Sequence, residues 1–322
     1  MNNTAELMRL QNGDVFAGYL RVQKADELKD KNGKTYFALS LGDRSGAINA
    51  KVWDAATLEL PKQGSVIRVF RGLAQEFKGN LQLRVDNFRP ANDTDEIDLT
   101  ELVATSPEPS DRMMAELEAT IAEMTNPTLK ALVTAMLKQV RDKLLYYPAA
   151  QMMHHVEHGG LLHHTLSMLR VAKALIPCYP RLNRDLLLSG VIVHDFGKTI
   201  ELSSDETGAP QGYTKDGLLF GHLLRGFQML SKAAQAVGLS EDDEMLMLLQ
   251  HMMISHHGDI QYGSIRFPMF PEAEMLHFID NLDARMNEFE AIMDQVTPGS
   301  FSDKKSFLDN RCLYHPRYPE GA

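Results

Sequence analysis

The residues of this chain best equipped for chemistry are its histidines, and they are gathered rather than scattered. Eleven of the twelve lie between His154 and His277, and residues 1–153 carry none. In GVIVHDFGKT, residues 190–199, an apolar run leads into His194, Asp195 and Lys198. Charged groups are costly in apolar surroundings unless they are paired or bind a metal. The cluster is therefore either a satisfied structural group or the centre of an active site. His164, His222, His256, His257 and Asp280 are the residues that could join it. The set comes from five helical segments, the arrangement by which facing helices aim ligands into a bundle core. Neutral imidazoles with carboxylates suit Mn, Fe, Co, Ni or Zn better than Ca or Mg. A single ion near the helix end could take both His194 and Asp195, or two ions could share the carboxylate. Asp280 and Asp283 are three residues apart and share a helical face. Lys198 lies on nearly the same side as His194, within reach of a phosphate oxygen or of Asp195.

The elements that position these residues are helical. From residue 113 onward apolar residues recur at three- and four-residue spacing, and helices are expected at about 159–176, 182–196, 217–237, 241–257 and 271–294. The 18 methionines read mostly as core filler. Residues 14–90 alternate apolar and polar types with β-branched and aromatic side chains, which predicts strands at 14–24, 35–42, 46–54, 65–77 and 81–89. Five strands in so short a unit close most naturally into a small barrel. Between the two patterns, residues 91–111 hold seven acids and no base, with Pro107 and Pro109, as expected of a linker. The expected organisation is a barrel over 1–90, an acidic linker over 91–112 and a helical domain over 113–322.

At 44% hydrophobic and 24% charged, the chain has the mix of a soluble globular protein. Its two cysteines, Cys178 and Cys312, argue against a disulfide framework or a cysteine zinc site and suit a reducing cytoplasm. The N-terminus lacks the pattern of a signal peptide, and no apolar run nears the roughly 18 residues of a membrane span. The net charge of −10 conceals an asymmetry: residues 1–90 carry 14 Lys and Arg against 10 Asp and Glu. The barrel is mildly basic, and its aromatic stock includes Tyr36, Phe37, Trp53, Phe70, Phe77 and Phe88. Aromatics stack on bases and cations follow a phosphate backbone. Tyr36 and Phe37 are adjacent and face opposite sides of a strand. Tyr36, Phe37 and Trp53, with Arg44 and Lys51, are the candidate nucleic-acid contacts.

The order His164, His194-Asp195, Asp280 resembles the HD-domain metallophosphohydrolases. The extensions HDFGK, GH at 221–222 and HHG at 256–258 resemble the two-metal subset of that superfamily. Over the whole chain, GGLLHHTLSMLRVAKAL, VIVHDFGK, GHLLRGFQML, SHHG and LHFIDNLDARM are similar to YhaM-type 3′–5′ exoribonucleases, which join an N-terminal OB-fold to a C-terminal HD domain. One departure stands out, since relatives often carry an acid where this chain has His163. The resemblance implies a multidomain α+β protein: a five-stranded OB-type barrel followed by an all-α HD-domain bundle. It implies ligands at His164, His194, Asp195, His222, His256 and Asp280, with His257 a ligand, a phosphate contact or a polar residue at a helix end. Asp195 and Lys198 are the catalytic candidates, acting with two divalent transition-metal ions. The implied substrate is single-stranded RNA or DNA in the cytoplasm, with a homo-oligomer compatible and no membrane role. A phosphohydrolase of nucleotides or cyclic dinucleotides, and a nucleic-acid-binding protein without catalysis, are the alternatives. His154, His155 and His158 would line the substrate path or lie in a solvated loop.

Overall fold

Period-two patterning builds the first unit. In the computed structural model, strands β1 (Val15–Lys29), β2 (Thr35–Asp43), β3 (Gly46–Val52), β4 (Val66–Phe77) and β5 (Asn80–Pro90) close into a barrel in the order β1-β2-β3-β5-β4. The β3–β5 pair is parallel and the others antiparallel. The structure describes residues 6–318 apart from 54, 78–79, 93, 99–100, 104, 151–156, 205–207, 209, 295, 305–307 and 309. β2 sends Phe37, Leu39 and Leu41 inward, and β3 sends Ile48, Ala50 and Val52. They meet Leu20, Val22, Ile67, Val69, Leu83 and Val85 in one core. A one-residue slip would turn each set outward, so the alternation fixes the register. β1 runs five residues beyond its expected end. Its last residues pair with β2 but are solvated on both sides, so they show no alternation.

The acidic stretch after the barrel runs along its surface. Leu102 and Val103 pack against Tyr19 and Val66. Asp95 accepts two hydrogen bonds from Arg89, at 2.7 and 2.6 Å, and one from Tyr19 Oη at 2.8 Å.

Helices α1 (Ser110–Ala122), α2 (Pro127–Leu144), α3 (Gly160–Leu175), α4 (Arg184–Val193), α5 (Lys198–Glu201), α6 (Lys215–Ala236), α7 (Glu244–Ser255) and α8 (Pro271–Met293) form the second unit. Asn126, Asn183, Thr214 and Asp243 cap α2, α4, α6 and α7 by accepting from the N–H three residues on, which satisfies donors the helix leaves open. Every residue of α4 from Asp185 to Val193 is buried, as expected of a helix apolar on all sides. Asp185 is tolerated there because it accepts from Thr125 N, Thr125 Oγ1 and Asn126 N at 2.7–2.9 Å. The methionine reading largely holds, with Met113, Met114, Met136, Met168, Met252 and Met253 in the core.

The barrel followed by a helical domain is the expected fold, and one boundary is corrected: the helix expected over 182–196 ends at Val193, and His194 and Asp195 sit in the turn that follows. The helical domain carries one small addition. A hairpin of β6 (Leu202–Ser204) and β7 (Pro210–Tyr213) interrupts it between α5 and α6. No described helix is long and apolar enough to cross a membrane.

Candidate metal centre

Glycine geometry at two points shapes the centre. Gly221, at φ 67° and ψ 169°, breaks α6 into two segments, so His222 opens the second one. Gly197 lies directly against that segment, where a Cβ would fall 2.1 Å from the His222 carbonyl oxygen. No larger residue fits without moving α6, so the HDFGK turn and His222 come together.

Five imidazoles are then oriented the same way. Nδ1–H of His194 donates to Val191 O at 2.9 Å, that of His256 to Met253 O at 2.9 Å, and that of His257 to Tyr262 O at 2.8 Å. A carbonyl only accepts, so these contacts set the proton on Nδ1 and leave the Nε2 lone pair for the centre. His164 Nδ1 lies 2.6 Å from Asp283 Oδ2, and His222 Nδ1 lies 2.8 Å from Glu201 Oε2. A carboxylate behind an imidazole fixes its orientation and raises its basicity as a ligand.

The Nε2 atoms surround Asp195. Its Oδ2 is 3.3 Å from His194 Nε2 and 3.7 Å from His164 Nε2. Its Oδ1 is 3.4 Å from His222 Nε2 and 3.7 Å from His256 Nε2. Asp280 Oδ1 approaches His164 Nε2 at 3.3 Å. Three ligand-like groups result, His164/His194/Asp195, His194/His256/Asp280 and His222/His256/His257, each with its donor atoms within 4.8 Å of one another. His222 and His257 bring their Nε2 atoms to 3.2 Å. With both Nδ1 atoms engaged from behind, the two Nε2 atoms are placed where one cation could take both.

The donor set fits a metal on a structural ground. Among the described residues, His194 Nε2, His256 Nε2 and Asp195 Oδ1 are buried without a hydrogen-bond partner. Buried polar atoms are nearly always satisfied, and here they are aimed at one another. The charges agree. Burial opposes ionisation of Asp195, yet Lys198, His194 and His222 hold its carboxyl well below the usual carboxylate range. Burial likewise opposes Asp280, and His164 and His194 hold it low. His164 is carried against burial up to about 9 by Asp280 and Asp283. Burial and neighbouring imidazoles push His256 and His257 down. Ionised carboxylates beside imidazoles such as His256 and His257, held neutral, are the donors a divalent transition metal takes.

The structure therefore brings together His164, His194, Asp195, His222, His256, His257 and Asp280. Lys198 joins them at the edge, its Nζ 2.6 Å from Asp195 Oδ2. His163 turns away, with Nδ1 2.6 Å from Glu157 Oε1, so of the two adjacent histidines His164 faces the centre. The backbone of His158 pairs with the Thr105 and Ser106 region; His154 and His155 lie outside the described residues. Sequence reasoning missed Glu201, because nothing in TIELSS marks it before the fold sets it behind His222. Asp283 carried a signal in its spacing from Asp280, but not its role behind His164.

On the barrel, Tyr36 and Trp53 bring their ring centroids to 4.8 Å. Lys51 Nζ lies 5.3–5.7 Å from the rings of Tyr36, Trp53 and Phe77. Phe37 is corrected as a nucleic-acid contact: at 1% exposure it is a core residue, because the alternation that turns Tyr36 outward turns it in. Arg44 sits at the opposite end of the β2–β3 hairpin, where it pairs with Glu6 and Glu101 at 3.0 and 2.9 Å.

Fold and centre together define an OB-fold nucleic acid binding domain joined to an HD domain, a metal-dependent phosphohydrolase. The two families match residues 17–91 and 161–285. A 3′–5′ exoribonuclease YhaM of Geobacillus sp. strain WCH70 is 38% identical over 308 residues, covering 94% of this chain and 93% of that protein. One of Bacillus subtilis strain 168 is 37% identical over 307 residues, covering 95% and 96%. The chain belongs to the YhaM family of 3′–5′ exoribonucleases.

Proposed function

We propose that this protein is a metal-dependent exonuclease that removes nucleotides from the 3′ end of single-stranded RNA, with DNA a further candidate substrate. The observation that carries the reading is the Asp195 carboxylate, whose two oxygens face different imidazole pairs. That placement supports two divalent ions: His164, His194 and Asp280 would hold one, His222, His256 and His257 would hold the other, and Asp195 would serve both. The candidates are Mn, Fe, Co, Ni and Zn. Bound there, such ions supply the positive charge and Lewis acidity that phosphodiester hydrolysis requires.

The chain's own residues supply the rest. Phosphoryl transfer depends mainly on positioning and charge stabilisation. Asp195 remains ionised, so it keeps both oxygens available as acceptors. Lys198 places a cation at the rim, where it balances Asp195 and meets an entering phosphate oxygen. Glu201 and Asp283 hold His222 and His164 in place from behind. On the barrel, Tyr36 and Trp53 offer faces for base stacking and Lys51 offers charge to the backbone. The acidity of the helical domain does not repel the substrate, because bound cations reverse the local field.

The test is incubation of 5′-labelled single-stranded RNA with the protein and each metal, beside DNA, nucleotides and cyclic dinucleotides. The expected result is a ladder of labelled products shortening from the 3′ end, absent in Asp195→Ala. Release of the label as a mononucleotide, or hydrolysis of nucleotides alone, would refute it. We further infer a cytoplasmic location, supported by two exposed free cysteines, and self-association. The latter is supported by Phe278, Leu282 and Met286, exposed four residues apart on α8. Light scattering on the purified chain, and on Leu282→Glu, tests the second.

A further inference from the structure

The barrel and the helical domain meet across a cleft of about 850 Å³, lined among others by Arg21, Lys24, Arg44, Asn49, Gln63 and Gln211. Three of these six are cations: Arg21 is buried, Arg44 is held by Glu6 and Glu101, and Lys24 is exposed. The single acid on the wall, Asp43, is already engaged by Leu7 N and by the N–H and hydroxyl of Ser45. The cleft therefore presents the Lys24 ammonium and the amide groups of Asn49, Gln63 and Gln211, groups that suit a sugar-phosphate backbone.

Its position relative to the aromatic platform is set by the register. On β2 the residues of this face are small from the platform onward, with Ala38 beside Lys51 and Ser40 beside Asn49. A smaller hollow of about 340 Å³ holds Lys51 and Phe77 at one end and Asn49 at the other, and Asn49 also lines the cleft. The two depressions meet at Asn49 and form one track along the β2–β3 face.

The far wall is Gln211 on β7. A Cβ at Gly64, φ +85°, would fall 2.2 Å from Gln211 Oε1, so glycine there lets the hairpin approach the barrel. β7 ends at Tyr213, which pairs with Leu202, the neighbour of Glu201. Thr214 N then donates to Glu201 O at 2.9 Å. The wall of the cleft thus continues into the residues that hold His222.

We propose that this cleft is a second nucleic-acid subsite, which holds the backbone of the strand between the aromatic platform and the metal centre. The inference rests on the exonuclease reading for its direction: the 3′ end lies at the metals and the upstream nucleotides lie on the barrel. Lys24 pairs with Asp26 at 2.9 Å on an exposed surface, a contact that a phosphate can displace. Long strands span platform and cleft, whereas fragments shorter than the track lose the platform and are degraded more slowly.

The experiment measures binding of a labelled single-stranded RNA of about 12 nucleotides, within the range an OB-fold holds, to the full chain in EDTA across a salt series. Lys24→Ala should weaken binding about five-fold at about 0.1 M salt and lower the slope of log affinity against log salt by about 0.7. Gln211→Ala should weaken binding with the slope kept, since no charge is lost. With metal added, both variants should lower the rate on this RNA relative to that on a dinucleotide. Wild-type affinity and slope in both variants would overturn the subsite. An intact protein that binds RNA in this pattern but shortens none with any metal would instead overturn the exonuclease reading and leave the subsite standing.

Discussion

Removing the carboxylate behind His164 should weaken one metal site and spare the other. Asp283 is buried, and its Oδ2 lies 2.6 Å from His164 Nδ1, a charge-assisted contact. Hydrogen bonds to charged groups contribute roughly 1.5–3 kcal/mol, and about 1.4 kcal/mol is a tenfold change in affinity. The expected loss of metal affinity is therefore about 10- to 100-fold, the range found for partners behind metal-binding histidines. Asp283→Asn keeps an acceptor without its charge and belongs at the low end; Asp283→Ala leaves Nδ1–H without a partner and belongs at the high end. Calorimetric titration with Mn²⁺ or Co²⁺ reads both sites. Asp283 pairs with His164, which lies outside the His222/His256/His257 group, so only one of the two binding steps should weaken. Glu201→Gln is the reciprocal variant, because Glu201 lies 2.8 Å from His222 Nδ1, and it should weaken the other step. Equal loss at both steps in both variants would refute the division into two sites around Asp195. Unchanged affinity in Asp283→Ala would refute the orienting role.

Three further outcomes are expected. Trp53→Ala should weaken binding of single-stranded RNA by about 1–3 kcal/mol, the contribution of one stacked base, while Phe37→Ala should unfold the barrel before it alters binding; thermal melts beside anisotropy separate the two. Gly197→Ala should reduce stability and metal binding together, because the added methyl meets the backbone of His222 at 2.1 Å, and a wild-type melting temperature would contradict it. Asp185→Asn should cost about 1–3 kcal/mol at neutral pH, the scale of unmaking buried hydrogen bonds. Burial opposes the Asp185 charge, but N–H groups of Asn126 and Thr125 hold its pKa below the ordinary 3.8. Its contribution is therefore present above that value and fades as the pH falls below it. The gap between wild type and variant in denaturant melts should close only in acid; a constant gap would count against the assignment.

Much of this organisation was legible in the residues, and the boundary of legibility has physical causes. The barrel strands were readable because one face of each is buried, so polarity alternates; β1 beyond Lys24 was not, because neither face is buried there. The seven inward donors were readable as a set because histidines and acids have few other reasons to gather in a helical core. Glu201 was hidden because an acid in a short helix is ordinary until the fold places it behind His222. Phe37 and Tyr36 could not be told apart because alternation separates two faces without naming which is inside. The hairpin at 202–213 was missed because strands of three and four residues are too short to show a period.

That hairpin changes how the two domains are to be understood. Its strands join the residue that orients His222 to the residue that walls the barrel cleft, within one continuous stretch of chain. A strand on the barrel would press against Gln211, only three residues from Thr214, whose backbone holds Glu201. The grip on the nucleic acid and the geometry of the metal centre are then not independent. Substitutions in the hairpin should affect both binding and turnover, whereas platform substitutions such as Trp53→Ala should act mainly through binding.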